Sequence, residues 1–235
     1  MTEPTIRRDL SQLERQRRLK RTHGGAIAVE HMLEPELASR ELTNVAAKEA
    51  IAAACMEEIE QGSSVFLDSG STVLRVAQRL TGYEVNVLTN SIGVAEAVVD
   101  APGVRHTVLG GQLRRSGGCF VGPLALAAIE RFTVNVAFIG ASGISAEGIS
   151  EADLGESQLK AAIIARARRV VVPIDHSKVG STDFALIAPL DAIDVVVTDR
   201  ASDALQAICE EHGVEVRVAD PGDAHVPHAL ASSAG

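Results

Sequence analysis

Paired cysteines and long apolar runs are both missing from this sequence, and each absence excludes a class of protein. Its three cysteines, Cys55, Cys119 and Cys209, stand far apart without CxxC spacing. That pattern supports neither a disulfide framework nor a zinc site. All three are expected to be buried small hydrophobes in a reducing compartment. No stretch reaches the roughly 18 apolar residues of a membrane-spanning helix, and Met1 is followed by Thr-Glu-Pro in place of an apolar signal core. No metal, cofactor or membrane partner is expected, and the chain is assigned to the cytoplasm. The 235 residues, 46% hydrophobic and 23% charged, suffice for one large or two modest domains with a real core.

Positive charge is scarce except at one end. The net charge is −9, yet residues 1–25 carry seven Lys or Arg against Glu3, Asp9 and Glu14. The remainder is strongly acidic, with 15 basic and 28 acidic residues. A basic head on an acidic body points to a nucleic-acid element joined to a domain with another task. The plainer alternative is a solvated basic helix. Residues 2–18 fit a helix with Thr2 as N-cap, Pro4 in the first turn, and Ile6, Leu10 and Leu13 on one face. Arg7 and Arg8 fall off that stripe and can meet phosphates or base edges. A basic strand toward His23 and a Gly24-Gly25 turn then look like the second half of a winged helix-turn-helix. One helix and a wing cannot bury a core, so the head is expected to lack its first helices.

Residues 28–41 read as a linker and 42–61 as a helix stopped by Gly62. Strands are expected near 64–68, 84–89, 104–109, 134–139, 169–174, 194–198 and 214–219. Helices are expected near 72–81, 91–100, 123–131, 155–167 and 202–212. Such alternation implies an α/β domain over 42–219 with a mostly parallel, doubly wound sheet. The Pro-, Ala- and Ser-rich tail 220–235 reads as disordered.

The chain is organised around residues 64–77. A buried strand runs into Asp68, then Ser69-Gly70-Ser71-Thr72, then a helix with Val73, Val76, Ala77 and Leu80 inward. Strand, small-residue loop and helix start together bind phosphate through unpaired amides and the positive end of the helix dipole. The competing interpretation is an ordinary turn in which Ser71 caps the helix. Other strands also end in small, hydroxyl or charged residues: Thr89-Asn90, Gly110-Gly111, Gly140-Ala141-Ser142-Gly143, Asp175-His176-Ser177-Lys178 and Thr198-Asp199. Strand ends of an open parallel sheet converge on one crevice. Against a phosphorylated polyol, Gly70, Ser71 and Thr72 offer donors and Lys178 a point charge. Asp68, Asn90 and Glu156 match sugar hydroxyls. Glu156 and Lys160, spaced i,i+4, share a helix face, and the dull alternative is a surface pair contributing a few tenths of a kcal/mol. His176 either touches ligand or merely borders a loop.

Thr5-Ile6-Arg7-Arg8-Asp9-Leu10, Leu13-Glu14 and His23-Gly24-Gly25-Ala26 resemble the recognition helix and wing of the DeoR family of bacterial sugar-metabolism repressors. In that family two more helices and a Val-Ser dipeptide come first, where this chain has Met1-Thr2. Since GUG can serve as a start codon, the true gene start is expected upstream. The resemblance continues through Asp-x-Gly-Ser-Thr, Thr-Asn-Ser, Gly-Gly, Val-Gly-Pro, Glu-x3-Lys, Asp-x-Ser-Lys-x-Gly and Thr-Asp, in matching order. It implies a sensor domain similar to sugar-phosphate isomerases, preceded by a partial winged helix-turn-helix over 1–27. It also implies a homodimer or higher homo-oligomer that binds double-stranded operator DNA and a phosphorylated sugar or polyol. Thr5, Arg7, Arg8, Arg18, Lys20, Arg21 and His23 would meet DNA. Asp68, Gly70, Ser71, Thr72, Asn90, Gly111, Ser142, Glu156, Lys160 and Lys178 would meet the effector. Many members carry Gly-Ala-Asp-Gly where this chain has Ser142, a departure shared with a subset of the family that points to a different effector.

Two other classes compete. An aldose–ketose isomerase needs a general base beside the substrate carbon. The acidic residue that similar isomerases carry after the fourth strand is Ser142 here, leaving Glu156 as substitute. Alternatively, a sensor without a working DNA module would act through mixed oligomers with intact regulators.

Overall fold

The computed structural model describes residues 19–22, 25–28 and 37–220. The chain divides into two units, Met1–Glu36 and Leu37–Gly235. In the first, β1 (Leu19–Thr22) pairs antiparallel with β2 (Gly25–Ala28), Thr22 opposite Gly25. This is the hairpin expected of a wing. The expected helix over 2–18 and the turn residues His23 and Gly24 lie outside the described residues, as does the tail 221–235.

The second unit opens with α1 (Leu37–Glu41) and α2 (Val45–Cys55), which tightens into a 3-10 turn at Met56–Glu58. The sequence reading placed the first of these in a linker and began the second three residues early, at Leu42. Then follow β3 (Ser64–Leu67), α3 (Ser71–Gln78), β4 (Val85–Thr89), α4 (Ile92–Val98) and β5 (Val104–Val108). A hairpin of β6 (Gln112–Arg114) and β7 (Cys119–Val121) leads to α5 (Pro123–Ile129) and β8 (Val134–Phe138). Next come β9 (Gly143–Ser145), β10 (Gly148–Glu151), α6 (Leu154–Ile164), β11 (Ala167–Pro173) and β12 (Ala185–Ala188). The described chain ends with β13 (Val195–Thr198), α7 (Asp203–Glu211) and β14 (Glu215–Val218).

Seven strands form one sheet in the order β14-β13-β11-β8-β3-β4-β5, and every pairing is parallel. This is the α/β architecture that the alternation implied. Both faces of its central strands are buried, so they consist of near-continuous β-branched runs such as Val195-Val196-Val197. Side chains alternate between two cores. Val65, Leu67, Val136 and Phe138 pack with α2, α3 and α4, whereas Phe66, Ala137 and Val172 pack with α5, α6 and α7. Antiparallel additions absent from the sequence reading are the β6–β7 hairpin and a three-stranded sheet, β12-β10-β9.

From β3 the strand order runs one way through β4 and β5 and the other way through β8, β11, β13 and β14. The switch point lies between β3 and β8, and a crevice forms at their carboxyl ends. No helix among the described residues is long and apolar enough to cross a membrane.

Candidate functional site

The loop leaving β3 delivers Asp68, Ser69 and Gly70 to that switch point. Gly70 has φ 134 and ψ 149, a conformation that side-chain-bearing residues rarely adopt, and it is the N-cap of α3. The first helical bond runs from Leu74 N to Gly70 O at 2.9 Å. The amides of Ser71, Thr72 and Val73 therefore precede the helix's own bonding and carry its positive pole. Ser71 is the first helical residue, and its side chain does not cap the helix. Thr89 fastens the neighbouring strand end, its Oγ1 donating to Leu67 O at 2.7 Å and accepting from Ser91 N at 3.0 Å.

Ser69 to Val73 form one wall of a cleft, with Lys178, Lys160, Glu151 and Arg40 on the others. Lys178 Nζ donates to Ala141 O at 3.0 Å. Burial pushes the Lys178 pKa down, with Asp175 pulling the other way. The cavity volume is about 20 Å³, on the order of what one water centre occupies.

Behind the cleft lies a buried ionic cluster. Lys160 Nζ sits 2.6 Å from Glu151 Oε2, 3.2 Å from Asp68 Oδ2 and 3.5 Å from Glu156 Oε2, and it donates to Gly140 O at 2.9 Å. The Glu156–Lys160 spacing is thus an interior contact, which overturns the surface-pair alternative: that helix face packs on β10 and the switch point. Burial opposes the lysine charge, but three carboxylates outweigh it and hold its pKa well above the ordinary value. Arg114 extends the cluster, with Nη1 2.6 Å from Glu156 Oε1 and Nε 3.0 Å from Asp153 Oδ2.

The carboxylates divide by how closely Lys160 holds them. Burial raises Asp68 to about 6 even with the lysine near. Glu151 faces the same penalty, but its shorter bond to Lys160 prevails and holds it at about 2. A carboxylate with a depressed folded-state pKa contributes stability above its ordinary value and loses it as pH falls through the folded value. Glu151 therefore stabilises the fold above pH 4.5 and ceases to as pH approaches about 2. Asp68 acts in the opposite sense, favouring the fold as pH drops from about 6 toward 3.8. In urea titrations across that acid range, the stability gap between wild type and Glu151→Gln should close below pH 4.5. A gap that widens with acid would contradict this assignment.

Of the ten effector residues proposed from sequence, Gly70, Ser71, Thr72, Lys160 and Lys178 line the cleft. Asp68 and Glu156 lie behind it, committed to Lys160 and Arg114. Asn90 is buried, its Nδ2 donating to Phe120 O at 3.2 Å and its Oδ1 without a partner among the described residues. Ser142 bonds to Ser150 O through both Oγ at 3.0 Å and its amide at 2.9 Å, joining β9 to β10. At Gly111 a Cβ would stand 2.6 Å from Val121 O, so glycine there serves packing. His176 pairs with Asp199 at 2.7 Å and borders the loop, as its plainer alternative had it. Two charged cleft residues were not foreseen from the sequence. Glu151 ends a strand of the small sheet, and Arg40 belongs to a segment read as linker. Neither carried a local motif. All three cysteines are buried, as expected. Lys20 and Arg21 fall in β1, while Thr5, Arg7, Arg8, Arg18 and His23 lie outside the described residues.

Residues 43–200 match the family model described as the DeoR C terminal sensor domain, and residues 1–32 match the DeoR-like helix-turn-helix domain. The HTH-type transcriptional repressor GlcR of Bacillus subtilis is 35% identical over 220 residues, covering 92% of this chain and 84% of the relative. The glycerol-3-phosphate regulon repressor of Escherichia coli is 32% identical over 212 residues, covering 88% and 84%. Among solved structures, ribose 5-phosphate isomerase A of Methanocaldococcus jannaschii aligns at 16% identity and a TM-score of 0.44, covering 58% of this chain and 55% of that one.

Proposed function

This chain belongs to the DeoR family of transcriptional regulators, and we propose that it represses a carbohydrate or polyol catabolic operon under control of a phosphorylated effector. The observation that carries this reading is the cleft itself. It gathers the first turn of α3, Lys178 and Arg40 around one cleft at the switch point of the sheet. A net negative body repels a dianion unless local donors reverse the potential, and this cleft concentrates such donors. Named repressors among the relatives support the regulatory half.

Catalysis is not part of this reading. Ser142 is bonded to Ser150, and Glu156 is held by Arg114 and Lys160. Neither is placed to take a proton from a substrate carbon. DNA contacts from Arg7, Arg8, Arg18, Lys20 and Arg21 would position the head on phosphates and base edges. Each phosphate contact releases counterions, so binding should weaken steeply with salt. Assembly as a homodimer would match paired half-sites.

Gel-shift titrations on the DNA upstream of the adjacent operon test the proposal. They should use this chain with and without phosphorylated sugars and polyols. The expected result is a salt-sensitive complex whose affinity one phosphorylated compound changes. DNA binding indifferent to every such compound would overturn the reading.

A further inference from the structure

One wall of the cleft is not built from the sheet or its covering helices. Arg40 comes from α1, the segment by which residues 1–36 join the sensor. This segment is fastened by polar bonds. Lys48 Nζ donates to Arg40 O at 2.5 Å and Thr43 O at 2.7 Å, and Arg75 Nη2 donates to Glu41 O at 3.1 Å. Leu37 N donates to Ser116 O at 3.0 Å. Leu42 stands 82% exposed, so the segment buries little apolar surface after α1. At its end, Asn44 has φ 52, the one positive φ of a non-glycine residue among the described residues. Asn44 does not cap α2 with its side chain. It donates instead to Asp175 Oδ1 at 3.0 Å and Ser177 Oγ at 3.3 Å, in the loop that supplies Lys178.

The walls built by Ser69, Ser71, Glu151 and Lys160 cannot retreat so easily. These residues are at most 7% exposed and tied to the core or the ionic cluster. The cations around α1 also oppose one another. Burial lowers Lys48 to about 8, and Lys178, Arg75 and Arg40 add to the depression against Asp175. A dianion placed among them relieves that repulsion.

We infer that Arg40 is a ligand of the effector phosphate and that α1 is the wall that parts to admit the effector and is refastened by it. Occupancy of the cleft and the ordering of the segment that leads to the DNA-binding unit are then one equilibrium. By linkage, whatever holds α1 in place strengthens effector binding, and the reverse. The inference rests on the phosphate-site reading above, and its failure can be told apart from failure of that reading.

The test is amide hydrogen exchange of residues 37–44 in the full 235-residue chain, with and without saturating inorganic phosphate, alongside phosphate-binding titrations. In wild type, phosphate should slow exchange in this segment by on the order of tenfold. Arg40→Ala should weaken phosphate binding about tenfold and abolish the protection, with unchanged exchange in the sheet core showing that it folds. Arg40→Lys should restore part of both. Asn44→Gly keeps the left-handed backbone accessible and removes only the side-chain bonds. It should speed exchange of 37–43 in the absence of phosphate. If wild type binds phosphate but exchange at 37–44 does not respond, or Arg40→Ala binds as wild type does, the role of α1 falls and the phosphate site stands. Unchanged exchange in Asn44→Gly would likewise overturn the fastening. If wild type binds no phosphate at all, both fall together.

Discussion

Replacing Lys160 with methionine should destabilise the sensor domain by about 3–5 kcal/mol, the range for removing one partner of a buried ion pair. The side chain is 3% exposed and neutralises carboxylates at 2.6, 3.2 and 3.5 Å. Methionine approximates its volume, so the loss is electrostatic and not a cavity. Asp68 and Glu151 would then lose their nearest cation, while Glu156 would keep Arg114. A domain's whole stability is about 5–15 kcal/mol, so the variant should be marginal at 25 °C. Urea denaturation of the soluble fraction measures the effect. Adding Glu151→Gln to Lys160→Met should recover part of the loss, because one uncompensated charge disappears. A drop below about 1 kcal/mol, the level of an exposed pair, would show that the cluster is hydrated in solution.

The second large effect concerns ligand and not fold. Lys178→Ala should weaken binding of a phosphorylated effector about ten- to a hundredfold, since a charge-assisted bond to phosphate contributes roughly 1.5–3 kcal/mol. Stability should hold or rise. Burial depresses the Lys178 pKa, so its charge is a burden on the folded state at neutral pH, and its bond to Ala141 O at 3.0 Å is a single hydrogen bond. Calorimetry against phosphorylated ligands, paired with a thermal melt, separates the two outcomes. In a repressor released by its effector, this variant would stay on DNA at effector concentrations that release wild type. Retained affinity in a folded Lys178→Ala protein would remove this residue from the phosphate site.

The two lysines show what a sequence can and cannot disclose. Strands and helices of the large sheet were legible because each is a local pattern: apolar runs such as Val195-Val196-Val197, or helical spacing such as Val73, Val76 and Ala77. The turn at the head of α3 was legible for the same reason, since Gly70 and its hydroxyl neighbours are contiguous. The i,i+4 spacing put Glu156 and Lys160 on one helix face but could not say whether that face meets water. Only the packing of α6 against β10 buries it. Glu151 was invisible because its place in the cleft depends on how the β9–β10 hairpin packs against β12 and α6, which no local pattern records. Arg40 was invisible because α1 has five residues and is held by Lys48 and Arg75, neither of which marks its sequence as helical. Ser71 looked like a cap because serine favours that position, yet Gly70 takes it: the chain must turn there with φ 134.

On this reading the switch-point cleft recognises a phosphate group. The most direct test is titration calorimetry of the wild-type chain with matched pairs of sugars and polyols that differ only in the phosphate. Binding should be confined to phosphorylated members and should weaken as salt rises, if the amides at the start of α3 and the cations Lys178 and Arg40 provide the recognition. Equal binding of both members of a pair, or affinity that ignores the phosphate, would contradict the account.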